Sequence, residues 1–186
     1  MFTGLVKTTA EVVALSSNDN GLKLSLKFKD TFETSLGDSI CVNGVCLTVV
    51  SLGEVLDFDV IEETLDRTNI GSLQIGDIVN IEPSMRLSDL VGGHLVSGHV
   101  DFVSRLIEQN GEDFWFEIES GYEKYFVEKG SVCINGVSLT VAEVDGNKFK
   151  VCLIPETLKA TNLGDLDDKT VNVEIDLIAR YLEKLV

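Results

Sequence analysis

The sequence predicts an all-β protein built from two similar units in tandem. The segment Ser-Ile-Cys-Val-Asn-Gly-Val-Cys-Leu-Thr-Val at 39–49 returns as Ser-Val-Cys-Ile-Asn-Gly-Val-Ser-Leu-Thr-Val at 131–141. A repeat of this length indicates two copies of one structural unit. Within each copy, apolar residues alternate with polar ones, and turn-forming dipeptides separate the alternating runs, which predicts strands joined by hairpins.

The repeat covers most of the chain. Further matches join 63–71 to 156–164, 79–82 to 171–174 and 3–6 to 97–100. Each unit is therefore about 90 residues long, which is enough for a small domain with its own core.

Four runs alternate with period two and so place one face of each strand on a core. They are Leu22, Leu24, Leu26 and Phe28; Leu56, Phe58 and Val60; Phe114, Phe116 and Ile118; and Phe149, Val151 and Leu153. The dipeptides at 20–21, 110–111 and 145–146 are Asn-Gly, Asn-Gly and Asp-Gly, which suit tight hairpins. About six strands per unit can hide their edges by closing into a small barrel.

We assign residues 1–85 to an N-terminal barrel, 94–175 to a C-terminal barrel and 176–186 to a short C-terminal helix. The segment Pro83–Gly93 breaks the strand pattern and is predicted to link the barrels. Short helical turns are predicted at 31–36, 63–68, 122–128 and 156–161.

The C-terminal helix starts at Asp176, which is a suitable N-cap. Its apolar stripe consists of Leu177, Ile178, Tyr181, Leu182 and Leu185. Such a helix is expected to dock on its own barrel or on a neighbouring subunit.

The composition and charge of the chain exclude some classes of function. The formal net charge of −16 and the pI near 4.4 argue against nucleic acid and acidic membranes as partners. No apolar run has the length of a membrane span. Residues 1–4 already belong to the first repeat, so we expect no signal peptide and a cytoplasmic protein.

The four cysteines lack the C-x-x-C spacing of a zinc site. Cys41 and Cys133 are equivalent in the repeat and are predicted to be small core residues, and Cys152 lies in a similar apolar run. Cys46 differs from its repeat partner, Ser138. His94 and His99 are five residues apart and would point to opposite faces of a strand, so no metal site is predicted.

Five ordered motifs give the chain a resemblance to the riboflavin synthases. They are Met-Phe-Thr-Gly at 1–4, Asn-Gly-Val-Cys-Leu-Thr-Val at 43–49, Gly-Gly-His-Leu-Val-Ser-Gly-His-Val at 92–100, Asn-Gly-Val-Ser-Leu-Thr-Val at 135–141 and Val-Asn-Val-Glu-Ile-Asp at 171–176. The resemblance covers essentially the whole sequence.

The resemblance implies two tandem six-stranded antiparallel Greek-key barrels. It implies dismutation of two molecules of 6,7-dimethyl-8-ribityllumazine to riboflavin and 5-amino-6-(D-ribitylamino)uracil, with no cofactor and no metal. It also implies a homotrimer whose active site forms between the first barrel of one subunit and the second barrel of another. Association with a lumazine synthase is left open.

Identical substrates must act as donor and acceptor, so the two pockets must differ. The repeat alignment locates differences at Cys46 against Ser138, Ser84 against Asp176, Phe2 against Val96 and Leu5 against His99. Holding both molecules in register would remove much of the entropy cost of their encounter.

The family pattern assigns residues to each pocket. The first is expected to take Gly4, Leu5, Val6, Cys46, Leu47, Thr48, Asp59, Val60, Ile61, Glu62, Glu63 and Thr64. The second is expected to take Gly98, His99, Val100, Ser138, Leu139, Thr140, Ile154, Pro155, Glu156, Thr157, Leu158 and Lys159. Further expected substrate contacts are Phe2, Thr3, Ser39 and Lys129.

Catalytic roles are implied for Cys46, Ser138, Asp176 and His99. Ser138 with Asp176 could hold water or relay a proton, and His99 is expected beside them in the second pocket. Cys46 could act as nucleophile, proton carrier or shape-filling group in the first. Cys46 could equally be a buried core thiol, and Asp176 could serve only as a helix cap.

A second function from a different class stays open. Lumazine proteins with the same tandem barrels are non-catalytic antennae that bind one lumazine or flavin in the first barrel, and their second-barrel motifs have degenerated. Both motifs stand here, which favours the enzyme. A reductase flavin domain is disfavoured because the sequence has no nicotinamide-binding pattern.

Overall fold

The computed structural model describes residues 1–18, 21–166 and 170–185. The first unit contains β1 (Thr8–Asn18), β2 (Gly21–Phe28), β3 (Ser39–Val42), β4 (Val45–Ser51), β5 (Leu56–Ile61) and β6 (Ile78–Pro83). The second contains β7 (Phe102–Asn110), β8 (Asp113–Glu117), β9 (Ser131–Ile134), β10 (Val137–Asp145), β11 (Lys148–Cys152) and β12 (Thr170–Ile175).

Each unit closes into an antiparallel barrel, which confirms the predicted fold class. In the first barrel the strands follow the order β1-β2-β5-β4-β3-β6, and β6 pairs back onto β1. The second barrel has the equivalent order, β7-β8-β11-β10-β9-β12, and β12 pairs back onto β7. Each of the described strands therefore pairs with a neighbour on both sides over part of its length.

The period-two pattern explains the two cores. Leu24, Leu26 and Phe58 point into the first barrel, while Phe116 and Phe149 stack inside the second with ring centroids 5.7 Å apart. The alternate residues of these strands face outward, as a half-buried strand requires.

The hairpins use glycines with positive φ. Gly111 (φ 63°) turns β7 into β8, and Gly146 (φ 61°) turns β10 into β11, as predicted. Asn20 of the third predicted hairpin lies outside the described residues. The repeated Asn-Gly pairs at 43–44 and 135–136 form two further hairpins, and all four of these residues have positive φ, which two-residue type I′ turns require.

In the described part of the chain, three short α-helices accompany the strands: α1 (Glu62–Arg67), α2 (Pro155–Ala160) and α3 (Leu177–Glu183). They confirm the predicted turns at 63–68 and 156–161 and the helix after Asp176, although Val186 lies outside the described residues. Only Glu123–Tyr125 of the turn predicted at 122–128 is helical, as a short 3-10 segment.

The helical turn predicted at 31–36 is wrong. The Ser35 N–H donates to the Asp38 carboxylate over 2.8 Å, and Gly37 turns the chain with a φ of 86°. Side-chain acceptors that bond to nearby backbone offer an alternative to a helix, and they determine the conformation here.

The cysteines divide by environment. Cys41 and Cys133 lie in a small apolar cluster with Phe2 and Val96, and burial raises the pKa of both thiols well above their usual range. They are packing groups, as predicted. Cys152 is exposed, and its thiol contacts Asp113, because it points outward at the end of β11.

Asparagines join the two barrels around an approximate internal two-fold axis. The Asn80 side chain donates to the Asn135 carbonyl and to the Asn162 side chain, over 2.9 and 2.8 Å. The equivalent Asn172 side chain donates to the Asn43 carbonyl and to Asn69, over 2.7 and 2.8 Å. These buried amides satisfy one another across the interface, which fixes the barrels relative to each other.

Helix α3 is tied to its own barrel by polar contacts. Arg180 donates to Asp101 over 2.6 Å, and Glu183 accepts from Lys124 and Tyr125. Most of the apolar stripe, however, stays exposed: Ile178, Tyr181, Leu182 and Leu185. Within the described ranges, no helix is long and apolar enough to span a membrane.

Candidate functional site

The chain segments that precede β1 and β7 cross between the barrels. Phe2 and Val96 pair as an isolated antiparallel bridge, with N–H to carbonyl distances of 2.8 and 3.1 Å. Beyond this bridge, the segment 3–6 of the first repeat lies against the second barrel, and the segment 97–100 of the second repeat lies against the first.

Gly4 and Ser138 define the second-barrel side of this crossing. The Ser138 N–H donates to the Gly4 carbonyl over 2.8 Å. Gly4 has a φ of 74°, and a Cβ there would lie 2.5 Å from the Ser138 Cβ. Val6 then packs against the core of the second barrel.

Gly98 and Cys46 repeat the arrangement on the first barrel. The Cys46 N–H donates to the Gly98 carbonyl over 2.9 Å. Gly98 has a φ of 81°, and a Cβ there would lie 2.6 Å from the Cys46 Cβ. Val100 packs against the core of the first barrel.

The expected grouping of the pockets is therefore wrong at these two segments. Gly4, Leu5 and Val6 accompany Ser138, whereas Gly98, His99 and Val100 accompany Cys46. The physical reason is the bridge between Phe2 and Val96, which sends each segment across the two-fold axis before its own barrel begins.

Strands β4 and β10 present equivalent side chains beside these crossing segments. We call the surface around Cys46 and Thr48 the first opening and the surface around Ser138 and Thr140 the second opening. Cys46 and Thr48 alternate outward on β4, as Ser138 and Thr140 do on β10. Leu47 is buried in the first core, and Leu139 packs on the second, so their side chains do not reach the openings.

The ends of β5 and β11 flank the two openings. β4 pairs with β5 from Val49 onward, and ahead of that point the Gly98 segment occupies the edge of β4. The exposed residues here are Asp59, Ile61, Glu62 and Glu63, and in the second barrel Ile154, Pro155, Glu156 and Lys159. Thr64 and Thr157 are half-buried.

Two members of these stretches do not face the openings. Val60 points into the first core, because it alternates with Asp59 and Ile61, and Leu158 packs on the second core. Glu63 forms an ion pair with Arg67 on α1.

The remaining predicted contacts occupy distinct places. Phe2 is fully buried in the inter-barrel cluster, and Thr3 donates its hydroxyl to Glu82. Ser39 is half-buried, and its carbonyl accepts the Ser84 hydroxyl over 2.7 Å. Lys129 is exposed with a φ of 67°, and its N–H donates to Val141, which places it at the edge of β10.

A serine–histidine pair distinguishes the second opening. His94 Nδ1 lies 2.6 Å from Ser138 Oγ, and Nε2 of the same ring is buried without a hydrogen-bond partner in the described part of the chain. Burial lowers the pKa of His94, while the charges of Asp176 and Glu174 oppose that shift. The imidazole is therefore held neutral near pH 7 and can accept a proton from Ser138.

The sequence had left His94 without a role. The sequence feature that could have indicated a role for His94 is the Gly92-Gly93 pair before it. A Cβ on Gly93 would lie 2.8 Å from the Ser138 Cβ, so only glycine lets this segment approach β10. The second barrel thus combines a hydroxyl with a neighbouring base, a pairing that activates hydroxyls or water.

One predicted catalytic residue needs another placement. His99 is exposed beside the first opening, not the second, because it follows Gly98. Asp176 accepts the Ile178 N–H over 2.9 Å and so caps α3, as predicted, and its negative charge acts to raise the pKa of His94.

The fold and these openings define a class of protein: paired small-molecule-binding barrels with equivalent but chemically different sites. Comparison with known proteins supports this pair of related binding domains. The family model of the lumazine binding domain matches residues 3–84 and again residues 97–176.

Riboflavin synthases match over the whole chain. That of Photobacterium phosphoreum is 41% identical over 100% of this chain and 89% of its own length. That of Mycobacterium tuberculosis strain H37Rv is 39% identical over 100% and 98%, and that of Escherichia coli K12 is 42% identical over 95% and 87%. The chain belongs to the riboflavin synthase family.

Solved structures with this fold include LumP complexed with riboflavin, with a TM-score of 0.82 and 25% identity over 94% of this chain and 99% of LumP. LumP complexed with 6,7-dimethyl-8-(1'-D-ribityl) lumazine gives a TM-score of 0.80 at the same identity and coverage.

Proposed function

We propose that this protein is a riboflavin synthase that converts two molecules of 6,7-dimethyl-8-ribityllumazine into riboflavin and 5-amino-6-(D-ribitylamino)uracil. It acts as a transferase, because a four-carbon unit moves from one lumazine to the other. The observation that carries this proposal is the duplicated opening, complete in both barrels but different at Cys46 and Ser138. Two identical substrate molecules that act as donor and acceptor need two similar binding sites whose reactive side chains differ.

Each opening suits one lumazine. The outward hydroxyls of Thr48 and Thr140 can donate to the carbonyls and ring nitrogens of a pteridine. The polar residues at the starts of α1 and α2 suit the hydroxyls of a ribityl chain: Glu63, Thr64, Glu156 and Thr157. Ile61 and Ile154 are 56% and 59% exposed beside them and offer apolar area to the ring.

The second barrel supplies the base. His94, held neutral by burial, accepts the Ser138 proton, and the Ser138 oxygen then activates water or takes a proton from the methyl group at C7 of a lumazine. The negative charge of Asp176 favours the imidazolium that results. In the first barrel, Cys46 contributes a thiol, and His99 stands next to that opening.

The reaction requires the two openings to face each other, and we propose that a homotrimer brings this about. Leu5 is 50% exposed at the second opening, and the apolar stripe of α3 is uncovered. Docking of one chain's first barrel on another's second barrel would bury such surface and align two lumazines.

Location and partners follow from the same proposal. The four cysteines are free, which suits the reducing cytoplasm. A lumazine synthase would supply the substrate and is a proposed partner.

The test is incubation of the purified protein with 6,7-dimethyl-8-ribityllumazine alone, followed by absorbance and chromatography. We expect catalytic formation of riboflavin, with one pyrimidinedione released for each riboflavin. The rival is an antenna like LumP, whose fold the chain shares. Tight binding of one lumazine per chain without turnover would replace the enzyme with that rival.

A further inference from the structure

Two buried carboxylates stand at equivalent places in the repeat. Glu82 on β6 is 6% exposed, and Glu174 on β12 is 2% exposed. Buried carboxylates are costly unless hydrogen bonds compensate for lost hydration, so the groups that these two bind show what they do.

Glu82 binds the segment that precedes β1. Its Oε1 accepts the Thr3 N–H over 2.7 Å and the Thr3 hydroxyl over 2.6 Å, and its Oε2 accepts the Gly4 N–H over 3.0 Å. The Thr3 hydroxyl also accepts the Leu5 N–H over 3.3 Å. Three consecutive backbone N–H groups are thus held by one carboxylate and one hydroxyl.

Glu174 binds the segment that precedes β7 in the same way. Its Oε1 accepts the Ser97 N–H and the Ser97 hydroxyl, both over 2.7 Å. Its Oε2 accepts the N–H groups of Gly98 and His99 over 2.9 and 3.1 Å. Both oxygens of each carboxylate are therefore used, and hydrogen bonds of this charged type are short and directional.

Each carboxylate holds a segment whose next contact lies in the other barrel. Gly4, held by Glu82 of the first barrel, accepts the Ser138 N–H of the second. Gly98, held by Glu174 of the second barrel, accepts the Cys46 N–H of the first. We call each of these carboxylates, with the segment that it holds, a clamp. Each clamp is built on one barrel and supports the opening of the other barrel.

We propose that Glu82 and Glu174 are positioning residues that act crosswise: Glu82 sets the backbone wall of the Ser138 opening, and Glu174 sets that of the Cys46 opening. This inference rests on the proposed function, because it assigns the openings to the two lumazines. Neither carboxylate touches a reacting atom; each acts through the main chain of the segment that it holds.

Glutamine tests the clamp with little change in shape. In Glu82→Gln and Glu174→Gln, an amide NH₂ replaces one acceptor oxygen and faces backbone donors, so one end of the segment is released. A displacement near 1 Å at a reacting centre can cost on the order of a hundred-fold in rate, and we expect a ten- to hundred-fold loss of kcat/KM, roughly, from each variant. Glu54→Gln removes an exposed carboxylate and is the matched control.

Double-mutant cycles separate positioning from general destabilisation. Glu82→Gln combined with Ser138→Ala should be little worse than the poorer single variant, whereas Glu82→Gln combined with Cys46→Ala should multiply the two losses. Glu174→Gln should show the reverse pattern. A structural role alone would give the same coupling with both partners, and that result would overturn the proposal.

A readout without turnover keeps this inference distinct from the proposed function. In amide NMR spectra, Glu82→Gln should shift the Ser138 resonance more than that of Cys46, and Glu174→Gln should do the opposite. Crossed shifts in a protein that makes no riboflavin would refute the enzyme but support the clamp. Uncrossed shifts in an active protein would refute the clamp alone.

If the glutamine variants do not fold, Thr3→Val and Ser97→Ala provide the milder test. Each removes one hydroxyl from a clamp and keeps the carboxylate. The same crossed NMR pattern is expected, and Thr3→Ser, which retains the hydroxyl, should restore the wild-type shifts. Equal shifts at Ser138 and Cys46 in Thr3→Val would count against the clamp.

Discussion

The Cys46 thiol and the Ser138 hydroxyl occupy equivalent outward positions on β4 and β10. Their surroundings differ, because the imidazole of His94 contacts Ser138, while His99, the other histidine of the chain, is exposed beside the first opening. At the scale of residues, this difference is what makes two related openings unequal.

The first prediction concerns this pair. Ser138→Ala should lower kcat by about 10²- to 10⁴-fold, the usual range for loss of positioned proton transfer. Binding of lumazine, measured by fluorescence titration, should change only a few-fold, because the Thr140 hydroxyl stays. Cys46→Ser, at the equivalent position of the first barrel, should cost less, since it keeps a small polar group there. Equal losses of kcat in both variants would argue against a base specific to Ser138.

The second prediction uses the titration of His94. Burial lowers its pKa, so the unfolded chain binds more protons than the folded one between that lowered pKa and the ordinary value near 6.5. The free energy of unfolding should therefore fall as the pH drops from about 6.5 toward the lowered pKa of His94, and this slope should end below it.

His94→Gln tests this directly. The comparison is urea unfolding of wild type and variant between about pH 7.5 and about pH 5.5, roughly one unit either side of the ordinary histidine pKa. The difference in free energy between the two proteins should shrink on acidification. A difference that stays constant with pH would mean that His94 titrates alike in both states.

At the scale of elements, the strands follow from local pattern. Leu24, Leu26 and Phe58 alternate with polar neighbours, and the sequence alone places them in a core. The helical turn predicted at 31–36 is wrong because Asp38 accepts a backbone hydrogen bond and Gly37 has a positive φ. Hydrophobic periodicity reports neither of these features. The type I′ hairpins at the two repeated Asn-Gly pairs were readable from those dipeptides but went unrecognised.

The crossing of the segments 3–6 and 97–100 yields the third prediction. Gly4→Ala meets two costs: about 1–2 kcal/mol for a non-glycine residue in the left-handed region and about 1–3 kcal/mol for overpacking against Ser138. Gly98→Ala should behave alike against Cys46. Thermal or urea unfolding measures the loss of stability.

Gly76→Ala is the matched control, because Gly76 has a φ of 96° but open space around the Cβ position. It should show the backbone cost alone, about 1–2 kcal/mol. If Gly4→Ala is no more destabilised than Gly76→Ala, the close approach to Ser138 does not constrain the segment.

At the scale of the whole molecule, the sequence predicted two barrels but not their exchange of segments. The repeat alignment identifies equivalent residues, such as Gly4 and Gly98, and equivalence says nothing about which copy each one touches. That depends on the bridge between Phe2 and Val96 and on the asparagine contacts, which are long-range. His94 was missed because its meaning depends on the same placement beside Ser138.

Assembly gives the fourth prediction. If the active site forms between two chains, specific activity should fall when the protein is diluted below the dissociation constant of the trimer, because mass action separates the two openings. Sedimentation velocity across the same concentrations should show the trimer giving way to the monomer in parallel.

Leu182→Glu should move this transition to higher concentration, since it places a charge on the exposed stripe of α3, where Leu182 is 54% exposed. Lys184→Gln changes an exposed residue after the same helix and should leave the transition in place within about 0.5 kcal/mol. Unfolding of the monomer should be unchanged in both, because a surface substitution away from packing contacts rarely alters stability. Constant specific activity in a protein that sediments as a monomer throughout would place both lumazine sites and the whole reaction within a single chain.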